Sequence, residues 1–280
     1  MFLNTFIMIS MYSRLKGNEK NGIFVLPLHD KIEDNMFDFF KKKKNDATLF
    51  YHTDVHCHIL PGVDHGSGSV SDSLEMLRAE LDMGVNRVIL TSHTTAETFE
   101  NTPETLSAAF TLLKQAVADA GLDIELHLSS EYRIDEYWNK LYAAGRVLPM
   151  PGNYILLENS FTQELIEIDQ LLFDLQCKGF HPILAHPERY HYYYDRRERY
   201  GRLHANGVSF QLNILSLAGY FGSGAREIAL WLIKNNLVDM LGSDMHNLQH
   251  AEIIKDYIAS RDWKKISSKI QGRIVNDMVR

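Results

Sequence analysis

Histidine and carboxylate side chains recur along this chain at or just past the ends of short β-like runs. His56 and His58 end the first run, His93 the second, Glu131 lies past the third, Glu158 ends the fourth, His186 the fifth, Asn213 follows the sixth, and Asp244 with His246 follows the seventh. On a strand, residues two apart share a face, so His56 and His58 can reach one metal ion while Cys57 points away. Ser243-Asp244-Met245-His246 repeats the device with a hard oxygen and an imidazole. A mixed imidazole and carboxylate set suits Mn, Fe or Zn rather than a closed thiolate zinc site. With Asn213 set aside, eight candidate ligands leave room for two or three divalent ions, bridged by a carboxylate such as Glu131. Ions about 3.5–4 Å apart ionise a water and steady the attacking and leaving oxygens of a phosphoryl transfer.

A thiolate nucleophile is the competing chemistry for a phosphatase, and it requires an arginine six positions after the cysteine. Val63 occupies that position after Cys57 and Ile183 after Cys177, so metal-activated water remains. The other histidines (His29, His52, His127, His181, His191, His204 and His250) hold no convergent position and are read as structural or surface residues. Tyr190, Tyr192, Tyr193 and Tyr194, followed by Arg196, Arg197 and Arg199, fit either a phosphopeptide groove or a helix packed on a neighbouring subunit.

These residues need a scaffold that gathers strand ends, and the sequence rhythm supplies one. Seven apolar runs, Thr53–His58, Val85–Thr91, Ile124–Leu128, Tyr154–Glu158, His181–Ala185, Val208–Leu212 and Val238–Leu241, alternate with helical segments, as in parallel strands joined by crossover helices. The predicted helices cover Ser71–Met83, with Asp72 and Glu75 in capping-box-like spacing, Pro103–Ala120, Asp135–Ala144, Gln163–Lys178, an aromatic and arginine-rich segment, Ala225–Asn235 and two closing helices. In a βα barrel the C-terminal ends of the strands converge on one face, so ligands remote in sequence meet around one pocket.

Asp54-Val-His-Cys-His58, Thr91-Ser-His93, Ala185-His-Pro-Glu-Arg189 and Gly242-Ser-Asp-Met-His-Asn247 resemble the polymerase-and-histidinol-phosphatase (PHP) superfamily. More narrowly, they resemble its bacterial protein-tyrosine phosphatases of capsule and exopolysaccharide synthesis, in order from about residue 50 to about residue 260. The resemblance implies a distorted seven-stranded (β/α)7 TIM-like barrel with a trinuclear, commonly manganese, centre. It carries metal-ligand roles onto His56, His58, His93, Glu131, Glu158, His186, Asp244 and His246, and makes Arg189 the grip on the substrate phosphate. The implied substrate is phosphotyrosine on a partner tyrosine kinase that controls polysaccharide export. Two departures stand out: Asp64-His65-Gly66 replaces an Asp-Asp-Gly, making His65 a ligand or proton donor in place of an acid, and Thr94-Thr95-Ala96-Glu97 adds no basic residue after His93.

At 280 residues and 45% hydrophobic content the chain can bury a sizeable core in one α/β unit, and its net charge of −7 argues against a general nucleic-acid binder. Two cysteines give no disulfide framework, as expected in a reducing cytoplasm. Met1–Tyr12 is apolar but fits neither a signal peptide nor a membrane span. Residues 1–50 are read as an extension, with residues 1–35 upstream of a natural start at Met36, and residues 51–280 as the catalytic domain. Phe39-Phe40 with Lys41–Lys44 is either a contact for an anionic membrane surface or acidic partner, or a solvated tail. Rival functions are a histidinol-phosphate or other small-molecule PHP phosphoesterase, a PHP-type nuclease, disfavoured by the charge, and a catalytically weakened regulatory binding protein marked by His65.

Overall fold

The computed structural model of the protein describes residues 47–280. The readings made for residues 1–35, for Phe39-Phe40 and for Lys41–Lys44 lie outside the described residues. Parallel strands alternate with helices. β1 (Thr53–Cys57) leads to α1 (Val70–Asp82), β2 (Arg87–Leu90), β3 (His93–Thr94), α2 (Pro103–Asp119), β4 (Glu125–Leu128), β5 (Glu131–Arg133) and α3 (Glu136–Ala143). The second half adds β6 (Tyr154–Glu158), α4 (Ile168–Cys177), β7 (His181–Ala185), α5 (Glu198–Ala205), β8 (Ser209–Asn213), α6 (Ile214–Leu217), α7 (Gly222–Lys234), β9 (Met240–Gly242), α8 (Leu248–Ile258) and α9 (Arg261–Ile270). None of the helices in the described residues is long and apolar enough to cross a membrane.

Short polar side chains set the helix starts, where backbone N–H groups lack partners within the helix. Ser69 caps α1 by accepting from Asp72 N, so the expected Asp72/Glu75 start moves three residues earlier, to a Ser69/Asp72 pair. Thr102 and Thr105 form a reciprocal capping box on α2, with Pro103 in its first turn. α4 starts at Ile168 rather than Gln163, because Glu164 is drawn aside to accept from Tyr193 Oη at 2.7 Å and Arg199 Nε at 2.6 Å. The aromatic segment after β7 forms short 3-10 turns at Pro187–Arg189 and His191–Tyr193 before α5.

The sheet is curled and wholly parallel, and it is built from two ladders. One has the order β1-β2-β4, and the other β3-β5-β6-β7-β8-β9. Residues 91–92 and 129–130 break the ladder, so His93 and Glu131 do not trail their neighbouring strands. They occupy two short strands of their own, where they pair with each other. The break is sutured by Ser129 N–H to Leu90 O at 2.9 Å and Glu131 N–H to Thr91 O at 3.0 Å.

On the far side, β1 meets the segment after β9 through one bridge, Cys57 with Met245. His58 N–H donates to Met245 O at 2.9 Å and Asp244 N–H to His56 O at 2.8 Å. Asp54 ties this seam by accepting from Ser243 Oγ at 2.6 Å and Ser243 N at 3.1 Å. Alternate residues of the strands enter two cores. Ile89, Leu156, Ile183 and Met240 pack in a small cluster of strand side chains, whereas Val88, Leu90, Leu157, Leu184, Leu212 and Leu241 join the larger core that includes the helices. Cys57 belongs to the larger core, facing away from the ring of its neighbour His56 as the pleat requires.

Candidate active site

The two imidazoles of the His-x-His pair are locked by acceptors behind them. His56 Nδ1 donates to Gln211 Oε1 at 2.6 Å and His58 Nδ1 to Asp64 Oδ2 at 2.9 Å. Each commitment places the proton on Nδ1 and turns the Nε2 lone pair forward, the orientation typical of metal-ligating histidines. The two Nε2 atoms then face each other at 3.2 Å. Behind His56, Gln211 Nε2 donates to Asn213 Oδ1 at 2.9 Å, and Asn213 Nδ2 to Asp244 Oδ2 at 2.6 Å. That string occupies Asp244 Oδ2 and leaves Oδ1 facing His58 Nε2 at 3.3 Å and His56 Nε2 at 3.5 Å.

Glu131 is the hub. Its Oε1 accepts from His186 Nε2 at 2.9 Å, while Oε2 lies 3.0 Å from His93 Nδ1, 3.4 Å from His56 Nε2 and 3.5 Å from His58 Nε2, with none of the three aligned as a hydrogen bond. His186 Nδ1 and His246 Nε2 are likewise buried without partners. Orphaned polar atoms are costly in a folded interior unless a ligand satisfies them. Among the described residues, four sets could each hold an ion, with donor atoms within 4.8 Å of one another: His58/His93/His246, His56/His58/Asp244, His56/Glu131/His186 and His93/Glu131/Glu158. All eight ligands expected from sequence fall into these sets. The sets share members, as in a polynuclear cluster.

Electrostatics point the same way. Burial opposes a charge on His56, but Glu131 and Asp244 outweigh it and push its pKa up to about 9. For His58 too, burial is overcome, chiefly by Asp244 and Asp64, and its pKa is well raised. Burial works against ionised Glu131 and Asp244 as well, yet the facing imidazoles hold both well below the usual carboxylate range. Burial and repulsion from Glu131 push Glu158 up to about 7. The carboxylates thus draw protons onto rings whose lone pairs already converge, and a divalent cation is the group whose charge and donor preference fit that place.

Two of the candidate ligands stand on strained backbone: His186 has φ 33° and Asp244 φ 49°, both in the left-handed region. Such conformations cost of order 1 kcal/mol each and persist where surrounding contacts dictate them. Arg189 follows on the 3-10 turn after β7, with Nη1 donating to Asp244 Oδ2 at 3.0 Å and its guanidinium 4.9 Å and 4.1 Å from the ring centroids of Phe161 and Phe221. His65 is exposed beside the cluster, its ring centroid 4.6 Å from that of His246 and 4.8 Å from that of His93, but it joins none of the four sets. Burial and then the positive field of His93 and His58 lower its pKa.

Several functional positions escaped the sequence reading. Asp64 holds both the His58 ring and the His93 N–H, the latter at 2.9 Å. Gln211, two residues before Asn213 on β8, was legible by its spacing alone. His250, read as merely structural, supports the site: its Nδ1 accepts from His246 N at 3.3 Å and its Nε2 meets Tyr220 Oη at 3.1 Å. Tyr190 and Tyr193 are fully buried within this chain, where Tyr190 Oη donates to Ala185 O at 3.0 Å, so these two brace β7 and the loop after β6 instead of lining a groove or a subunit contact.

A family model for capsular polysaccharide synthesis, CpsB/CapC, matches residues 52–275. The chain belongs to the CpsB/CapC family. Every candidate ligand, from His56 to His246, lies inside the CpsB/CapC match. Over 200 residues the chain is 35% identical to the tyrosine-protein phosphatase YwqE of Bacillus subtilis, covering 70% of this chain and 78% of that one. Over 202 residues it is 27% identical to the tyrosine-protein phosphatase CpsB of Streptococcus pneumoniae, covering 70% and 83%. The crystal structures of YwqE and CpsB, metal-dependent tyrosine phosphatases, include a chain that superposes with a TM-score of 0.67 at 29% identity, covering 80% of this chain and 94% of that one. The curled parallel sheet is therefore the CpsB/CapC fold.

Proposed function

We propose that this chain is a metal-dependent protein-tyrosine phosphatase that removes phosphate from a partner protein, a tyrosine kinase controlling capsule or exopolysaccharide synthesis. One observation carries the reading: eight imidazole and carboxylate side chains, from β1, β3, β5 and β6 and from just past the ends of β1, β7 and β9, fall into four overlapping sets, two of which share Glu131. We assign the ligand roles to His56, His58, His93, Glu131, Glu158, His186, Asp244 and His246, and a complement of two or three ions, manganese first, with iron or zinc as alternatives. Such ions supply Lewis acidity toward water and the phosphoryl oxygens.

The protein's own groups do the rest. Glu131 spans adjoining sets through its two oxygens. Gln211, Asp64 and Asn213 fix the protons on the far sides of the ligands, so that lone pairs face the cluster. Arg189, held by one hydrogen bond to Asp244 and flanked by Phe161 and Phe221, presents its remaining N–H donors to a phosphate, a role suited to its planar fork. His65, at the rim, is positioned to carry a proton to or from the reacting group.

The fold reading that accompanies this is a distorted (β/α)7 barrel, in which β2 with β3, and β4 with β5, each count as one interrupted strand. Residues 51–280 are taken as the catalytic unit and residues 1–50, with the basic Lys41–Lys44 run, as an extension to it. The site of action is cytoplasmic, where kinase substrates reside.

Metal analysis of the purified chain, paired with specificity constants for a phosphotyrosine peptide and for histidinol phosphate, tests the assignment. Two or more ions per chain and a higher constant for the peptide are expected. A higher constant for histidinol phosphate overturns the substrate.

A further inference from the structure

Arg133 stands at the same mouth as Arg189. It lies on β5 two residues after Glu131, so the pleat places both residues on one face. Its Nε donates to Glu158 Oε2 at 2.9 Å, much as Arg189 Nη1 donates to Asp244 Oδ2 at 3.0 Å. Each guanidinium is thus moored by one N–H to a carboxylate of the cluster. The remaining N–H donors of both have no protein acceptor among the described residues. The two side chains are partly open to solvent, 30% for Arg133 and 23% for Arg189. Both guanidiniums lie against one ring, 5.5 Å and 4.9 Å from the Phe161 centroid.

A phosphate monoester dianion presents three non-bridging oxygens, each able to accept more than one hydrogen bond, and a single fork satisfies at most two of them. No basic side chain follows His93 before Lys114. Both arginines hold charge-assisted N–H donors open to an anion at this mouth. We propose that Arg133 is a second ligand of the substrate phosphoryl group, sharing it with Arg189 beside Phe161. This rests on the phosphatase reading above.

Arg133→Gln and Arg133→Lys, loaded with manganese, test it by metal content, calorimetric titration with inorganic phosphate, and turnover of a phosphotyrosine peptide. The expected result is unchanged metal content, phosphate affinity lowered about 10- to 100-fold in the Gln variant and partly recovered in the Lys variant, and a parallel fall in kcat/KM. Unchanged phosphate affinity in metal-replete Arg133→Gln overturns the proposal. So does loss of metal from both variants, because Arg133 would then merely hold Glu158. A wild-type chain that binds inorganic phosphate through Arg133 yet leaves the peptide intact instead sinks the phosphatase reading, leaving the phosphate contact standing.

Discussion

Nε2 of His56 stands 3.2 Å from Nε2 of His58, and the Nδ1 of each ring is already spent on an acceptor, Gln211 and Asp64 respectively. Each Nε2 is left either to a proton, which the facing carboxylates draw onto it, or to a cation that displaces that proton, so cation binding, proton release and folding stability must be linked. Chelation is expected to abolish turnover and to lower the unfolding free energy by about 4 kcal/mol per site relative to protein held at a thousandfold excess of ion over its dissociation constant. Thermal unfolding with and without chelator, followed by manganese addition, measures both effects. An unchanged midpoint would mean the site does not hold ions in the folded state.

Gly242 is required by a close approach. A Cβ there would lie 2.5 Å from Gln211 Nε2 and 2.7 Å from His56 Cβ. Gly242→Ala therefore pushes His56 and its supporting amide apart, at about 1–3 kcal/mol of overpacking. The expected readout is weaker metal binding together with a lower unfolding midpoint, and full metal affinity in the variant would contradict the close packing described.

Arg189→Lys keeps the charge but loses the planar fork that spans Asp244 and the mouth. We expect kcat/KM for a phosphotyrosine peptide to fall about 10- to 100-fold with metal content preserved. Steady-state kinetics beside elemental analysis would decide, and wild-type kinetics would remove Arg189 from phosphate binding.

Away from the cluster, His204 bonds to Asp239, with Nε2 3.1 Å from Oδ2, and that hydrogen bond outweighs burial and raises the imidazole pKa. A raised folded value means the pair's stabilisation is complete below the ordinary histidine pKa of about 6.5 and is lost as pH climbs through the raised value. His204→Gln should cost about 0.5–1 kcal/mol at pH 6 and less at pH 9. Urea unfolding at the two pH values checks the sign, and a larger loss at pH 9 would refute it.

Much of this arrangement was legible from the residues. β6 and β7 fall where the sequence places them because YILLE and HPILA are bounded by Gly152-Asn153 and by Gly179, which end the preceding elements. The convergence of the eight candidate side chains was legible for the same reason: strand ends are easy to locate, and parallel topology brings them together. Two-residue strands such as His93–Thr94 leave no periodic trace, so the split into two ladders was invisible. The apolar pattern of residues 163–167 continues a helix on paper, but the ties of Glu164 to Tyr193 and Arg199, which lie about thirty residues away in sequence, win over local propensity. His250 shows its part only once α8 has folded back under His246.

The carboxamides of Gln211 and Asn213 have unlike ends, and their sequence of bonds from His56 to Asp244 has a single sense. Turning either group over would set oxygen against oxygen or nitrogen against nitrogen at both of its contacts. The directions of these side chains are therefore settled by the protein itself, and the speed of loading an ion should be governed by how fast it sheds its hydration water, with little rearrangement of the polypeptide to wait for.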